Sequence, residues 1–286
     1  MKGKNKAVKI LLGLFVSLLS LVIVLLLVLQ IGMAVAHTWK PWRPDYEKAD
    51  LTKVLSSETL SSSDYELLYR QTGLTKIGVD GLIEAGRTED IYAVQEDFFA
   101  GDTMYEDLFG PFTCAEKLYA ADTVHFAVLE DGDVIVTPTT HFSFVRFGHS
   151  ILVVDGEDGV FLNAFGYGSF SGLTNSTSHF ADRPAFMILR PKAEKSVREA
   201  VAAYAADELV GIEYSIFAGV FGGRFDENEP PDVTQCSHVI WYAFKHFGID
   251  IDANGGAMVF PQDIANSSEF ELVQVYGIDP DRLWEY

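Results

Sequence analysis

The strongest pattern in the chain is at its start. From Ile10 to Leu29 it reads ILLGLFVSLLSLVIVLLLVL, 20 residues without a charge. At a helical rise that run covers about 30 Å, the hydrocarbon thickness of a bilayer. Beyond it, residues 44–110 read as short amphipathic helices, among them YELLYRQTG, VDGLIEAG and DIYAVQEDFF. Ser63 with Glu66 forms a capping-box pair, and Gly73 is a helix stop. Near residue 124 the period shortens. TVHFAVL, DVIVTP, HSILVVD and GVFLNAF are β-rich runs separated by the turn formers EDGD and DGEDG. EKSVREAVAAYAADELVG then sets Val197, Val201, Tyr204, Ala205 and Leu209 on one helical stripe, closed by Gly211. After the acidic loop FDENEPPDV, TQCSHVIWYAFKHFG predicts a helix that buries Val239, Ile240, Ala243, Phe244 and Phe247 and stops at Gly248. A block of strands with helices around it predicts an α+β fold. The expected organisation is a basic tip and membrane segment over 1–36, a helical lead-in over 37–123 and the main domain over 124–286.

Charge adds a direction. The 286 residues hold 21 Lys+Arg against 41 Asp+Glu, a net −20. Lys2, Lys4, Lys6 and Lys9 precede the apolar run and no acid does, so residues 37–286 carry a net −24. The lysines stay cytoplasmic by the positive-inside rule, which predicts a single-pass anchor in the cell membrane with the body outside. The alternative is secretion after cleavage at Ala36, since Ala34-Val35-Ala36 has the A-x-A form. Trp39, Trp42 and Arg43 are expected at the outer interface. A body this negative excludes nucleic acid as a partner. With 48% hydrophobic and 13% aromatic residues it has the means to build a core. No obligate protein partner is implied.

Cys236 opens the second predicted helix, with Thr234 as its N-cap. The unpaired N–H groups there favour a thiolate and can stabilise an oxyanion. His149 opens the strand HSILVVD. If Val154 pairs with Val160, Ile151 faces Asn163 and His149 faces Phe165, so His149 and Asn163 share a face of the hairpin. An Asn163 oxygen accepting from His149 Nδ1–H would leave Nε2 to take the thiol proton, a Cys-His-Asn triad.

The order GDVIVTP, FGHSILVVDGEDGVFLNAF, GIEYSIF, TQCSHVIWYAFKHFGIDID, PQDIANS resembles the circularly permuted, papain-like NlpC-type cysteine hydrolases of the YiiX/YebB-like group. Its most specific parts are Gly132-Asp133, Gly148-His149 and Cys236-Ser237, and it spans roughly residues 124–276. The resemblance implies an antiparallel sheet with packed helices, Cys236 as nucleophile, His149 as base and Asn163 as the orienting group. Tyr214 and Ser237 would serve substrate or oxyanion. It also implies cleavage of an amide bond through a thioester, in cell-wall peptide. The alternatives are an acyl-lipid ester or amide substrate, or an inactive surface-binding or assembly module. No cofactor is implied.

Other signals carry less. Asp250-x-Asp252-x-Asn254-Gly255 copies half a calcium loop, but Pro261 stands where a bidentate Glu belongs, which favours a plain turn. A Cys114–Cys236 disulfide is open to an extracytoplasmic protein and would remove the nucleophile. His141/His149 and His238/His246 are each eight residues apart and make no standard ligand pair, so no metal site is expected.

Overall fold

A six-stranded antiparallel sheet carries helices on both faces. The computed structural model describes residues 2–101, 103–119, 124–175, 178–220 and 224–284. The N-terminal half runs α1 (Lys2–Ala36), α2 (Thr52–Leu55), α3 (Ser62–Thr72), α4 (Lys76–Glu84), α5 (Thr88–Phe99), β1 (Met104–Gly110), β2 (Thr113–Leu118), β3 (Val134–Thr137) and β4 (Thr140–Phe142). Then follow β5 (His149–Asp155), β6 (Val160–Asn163), β7 (Gly172–Thr174), α6 (Ser178–Ala181), β8 (Phe186–Pro191), α7 (Lys195–Glu208), β9 (Glu213–Tyr214), β10 (Val233–Thr234), α8 (Cys236–His246), α9 (Pro261–Ala265) and β11 (Phe270–Tyr276). The main sheet has the order β11-β8-β3-β5-β6-β7. A smaller antiparallel sheet, β1-β2-β4, flanks it, and β9 pairs with β10 in parallel. The class is α+β.

Strand alternation sorts the core into two halves. Val134, Val136, Leu152, Leu162, Met187 and Leu189 pack with α7, α8 and α9. Ile135, Ile151, Val153, Phe161, Phe186 and Ile188 meet α3, α4 and α5 from the other side. The lead-in helices therefore complete the core of the main domain. Asp133 sits fully buried before β3, where it accepts from Arg190 Nε at 2.9 Å and Nη2 at 2.8 Å. That pair joins β3 to β8 at the sheet's centre.

The end of α1 docks on the small sheet. Ser143 Oγ donates to Leu29 O at 2.9 Å, and Arg146 Nη2 donates to Ala36 O at 3.2 Å. The approach needs a glycine, because a Cβ on Gly32 would lie 2.8 Å from Phe144 Cδ1. Among the described residues α1 is the one helix long and apolar enough to span a membrane, over Val8–Ala36 with mean hydropathy 3.1.

Several local expectations shift. The lead-in is not wholly helical, since β1 and β2 form a hairpin within it. In TVHFAVL, Thr123 lies outside the described residues and 124–129 form no ladder. Side chains satisfy that backbone instead: Gln274 Oε1 accepts from Ala127 N, and Gln274 Nε2 donates to His125 O. The capping box of α3 is Ser61 with Asp64, two residues upstream of the expected pair, while Gly73 does close the helix at φ +72. Trp39, Trp42 and Arg43 turn toward the protein: both indoles pack at the core's edge, and Arg43 bonds Ala100 O and the Tyr276 hydroxyl. Phe247 is 37% exposed, because α8 has reached the surface by then.

Removing Asp133 strips Arg190 of its two buried carboxylate contacts and leaves it only the partly exposed carboxylate of Glu130. Asp133→Ala should therefore lower the unfolding free energy by about 3–5 kcal/mol in urea titrations. A loss below about 1 kcal/mol would mean that water reaches Arg190 and the pair does not hold the sheet.

Candidate active site

Three elements meet at one cavity. β5 begins at His149 because Gly148, at φ +78, turns the chain into the strand under Thr137. A Cβ there would lie 2.5 Å from Thr137 O and 2.3 Å from the Trp284 ring. β5 and β6 pair Leu152 with Leu162 and Val153 with Phe161, the register that the sequence predicts. A bulge then sets Asp155, rather than Val154, opposite Val160. His149 and Asn163 consequently share a face, and His149 Nε2 lies 3.0 Å from Asn163 Oδ1.

The bond uses the other ring nitrogen from the one expected. Asn163 Oδ1 can only accept, so Nε2 carries the hydrogen and Nδ1 keeps the lone pair. The ring is held between Phe165, edge-on with centroids 5.6 Å apart, and Phe180 at 5.8 Å.

Cys236 is the first residue of α8. Gln235 is the N-cap in place of Thr234: its Oε1 accepts from Ser237 N at 3.0 Å, and its Nε2 donates to Val259 O at 2.6 Å. The same Oε1 lies 3.3 Å from Cys236 Sγ. Ser237 Oγ donates to Val259 O at 2.8 Å and lies 3.9 Å from Cys236 Sγ. Thr234 Oγ1 instead meets His238 Nδ1 at 3.1 Å.

Cys236, His149 and Tyr214 line a cavity of about 480 Å³, with Phe109, Phe142 and Phe165 among its walls. Among the described residues, the hydrogen bonds of Cys236 Sγ run to Gln235 Oε1 and Ser237 Oγ, and not to His149. Among the described residues, no Asp, Glu, Lys or Arg lines the cavity. Tyr214 arrives through β9, which pairs Tyr214 with Thr234 just upstream of the cysteine. Both cysteines are free and buried, so the disulfide alternative is absent here.

Burial dominates the electrostatics. It pushes the Cys236 thiol up despite the helix N-terminus and the donors of Ser150 and Ser237. The expected bias toward thiolate is thus reversed by desolvation. His149 is pushed down to about 3, first by burial and then by the Arg183 charge, against the opposing Asn163 bond. Tyr214 is held well above its ordinary value by burial, and so remains a hydroxyl donor. Thiol and imidazole rest as a neutral pair. Arg183 had no signature in the sequence: its motif-free segment before β8 becomes relevant only when the sheet closes beside His149.

Two other readings also resolve. Asp250 accepts from Trp241 Nε1 at 2.8 Å, and Asp252 pairs with Arg224, so the Asp-rich segment is a braced turn. Away from the cavity, His37, Cys114 and His141 bring ligand-capable atoms within 4.8 Å of one another, which no spacing along the chain announced.

Comparisons with family models, with curated proteins and with solved structures each return no match.

A histidine held neutral in the fold binds its proton only on unfolding. Its full stability is present above the unfolded value near 6.5 and is lost as pH falls toward the folded value. His149 sets that window from 6.5 down to about 3, and His238, buried near Arg224, from 6.5 down to about 4. Within the shared window the unfolding free energy should fall by about 1.4 kcal/mol per pH unit for each histidine. His149→Gln should flatten the slope by one such increment, and an unchanged slope would mean that water reaches the ring.

Proposed function

We propose that this chain is a membrane-anchored thiol hydrolase that cleaves an acyl amide or ester. The observation that carries the proposal is the shared cavity: a helix-terminal cysteine and an asparagine-bonded histidine line one apolar chamber. An α8 helix packed on an antiparallel sheet, with the histidine at a strand start, is the arrangement a permuted papain-like fold would supply.

Attack and proton transfer go together, since neither charged form is favoured at rest. Cys236 Sγ bonds to the carbonyl carbon as its proton passes to His149 Nδ1. The oxyanion forms at the positive end of α8, facing the Cys236 N–H and the Tyr214 hydroxyl. His149 then protonates the departing amine or alkoxide, and water, activated by the same imidazole, resolves the thioester. Asn163 keeps the imidazole in the required tautomer.

The chamber's lining favours an acyl substrate over a charged wall peptide. Among the described residues it offers aromatic rings and no fixed charge, and Tyr167 at its rim is 97% exposed. The rim is also close to the membrane helix. Phe142 lines the chamber, Ser143 bonds Leu29 O and Phe144 touches Gly32, three consecutive residues. With the N-terminal lysines in the cytoplasm, this rim meets the outer leaflet. A lipid acyl chain could enter from there without crossing water.

Full-length protein in nanodiscs, incubated separately with acyl-amide lipids, acyl-ester lipids and wall muropeptides, tests the reading by mass spectrometry of the products. Acyl release should fall by about a thousandfold or more in Cys236→Ser, and by about tenfold or more in Asn163→Ala. Full turnover by Cys236→Ala sinks the hydrolase proposal. Muropeptide cleavage without acyl release sinks the substrate assignment alone.

A further inference from the structure

The small sheet carries a second constellation, independent of the cavity chemistry. Cys114 on β2 stands directly across from His141 on β4. Their side chains meet, with His141 Nε2 at 2.9 Å from Cys114 Sγ. His37, the residue that follows α1, approaches the same sulfur with its Nε2 at 3.7 Å. Cys114 and His141 are buried, while His37 closes the site from the solvent side.

Each imidazole is already oriented by its other nitrogen. His141 Nδ1 lies 2.8 Å from Ser143 O, and His37 Nδ1 lies 2.9 Å from Glu106 Oε2. A carbonyl and a carboxylate can only accept, so both Nδ1 atoms donate and both Nε2 lone pairs turn toward sulfur. The thiol has one proton and cannot satisfy two such acceptors. Glu116 Oε1 adds a further acceptor 3.4 Å from His141 Nε2. The two imidazole lone pairs, the sulfur and the Glu116 carboxylate therefore converge on one point, a donor set suited to a cation.

We propose that His37, Cys114 and His141 form a binding site for a zinc-class divalent ion. Nitrogen and thiolate donors select such an ion over calcium or magnesium. Around a tetrahedral zinc, a thiolate sulfur and an imidazole nitrogen stand about 3.6 Å apart. The His37–Cys114 separation of 3.7 Å already meets that, and His141 needs to withdraw by well under 1 Å. Loading expels the thiol proton to solvent as the metal–sulfur bond forms. Glu106 and the Ser143 carbonyl act as the outer supports that metal-bound histidines usually have. The fourth position is left to water beside Glu116, whose carboxylate Arg146 holds by bonds of 2.8 and 2.7 Å.

The site joins the membrane helix to the catalytic half of the molecule. His37 belongs to the exit of α1, whereas Thr140 and Phe142, on either side of His141, line the cavity. A bound ion would lock the strand whose other face forms that wall.

Full-length protein in detergent, stripped with a chelator and titrated with Zn²⁺ and Co²⁺, tests this. We expect one tightly held zinc per chain, and a sulfur-to-cobalt charge-transfer band with Co²⁺. Cys114→Ser and His141→Gln should weaken zinc binding by more than about a hundredfold, and Glu106→Gln by about tenfold. Cys236→Ser should bind as the parent does, which separates this site from the cavity. Absence of stoichiometric zinc in the folded parent protein overturns the proposal. So does cobalt bound without the charge-transfer band, a readout that needs no variant to fold.

Discussion

The complete burial of α8 against β5 governs this molecule. From Cys236 to Phe244 no residue of the helix is exposed, and none carries a charge until Lys245. A helix sunk this deeply must satisfy its first N–H groups from within the protein, and Gln235 Oε1 takes that of Ser237. Its N-terminus consequently opens into a water-poor chamber, where the helix's positive end and the cost of desolvation act on the same sulfur. Desolvation outweighs the hydrogen bonds that Ser150 and Ser237 offer the sulfur, and the thiol is pushed up. The opposing strand starts at the same level, so the imidazole meets the same low dielectric and is also held neutral. One packing decision thus sets the shape of the chamber, the protonation of Cys236 and His149 and the pH range in which the fold is most stable.

The legible parts of the sequence were those where a short repeat decides the structure. Strand period fixes the β5–β6 register, and with it the neighbourhood of His149 and Asn163. Helical period and glycine stops located α7, α8 and the end of α3. What stayed hidden depends on contacts between distant segments. The use of Nε2, on an imidazole packed against Phe165 and Phe180, is a side-chain rotamer that strand period does not determine. The Gln235 cap needs Val259 O to brace its amide. The hairpin of β1 and β2 lies in a small, half-solvated sheet, where β1 buries little and its alternation is weak. Arg183 presses on His149 only after β8 has paired with β3.

The small sheet has the opposite character to the main one. Its strands are short and its interior is polar, built from Cys114, Glu116, His141 and Arg146. Its hydrophobic contribution is slight, and its order comes from directed contacts: Arg146 over Trp39 at 4.5 Å, the Glu116 fork, and the bonds to α1. It is a joint between an apolar rod and a packed body. Directed polar contacts suit a joint because they fix an angle, which non-directional apolar packing does not.

Trp284 gives the carboxyl-terminal segment a part in the same architecture. Its indole lies against Gly148, where a single added carbon would collide with it, and its carbonyl accepts from Asn266 Nδ2 at 2.9 Å. The ring therefore acts as a wedge under the residue that launches β5, and so under His149 itself. Order around Trp284 becomes a condition for order at His149. A bulky extension or a nick that pulls Trp284 out would loosen the histidine from behind while leaving the cysteine helix seated.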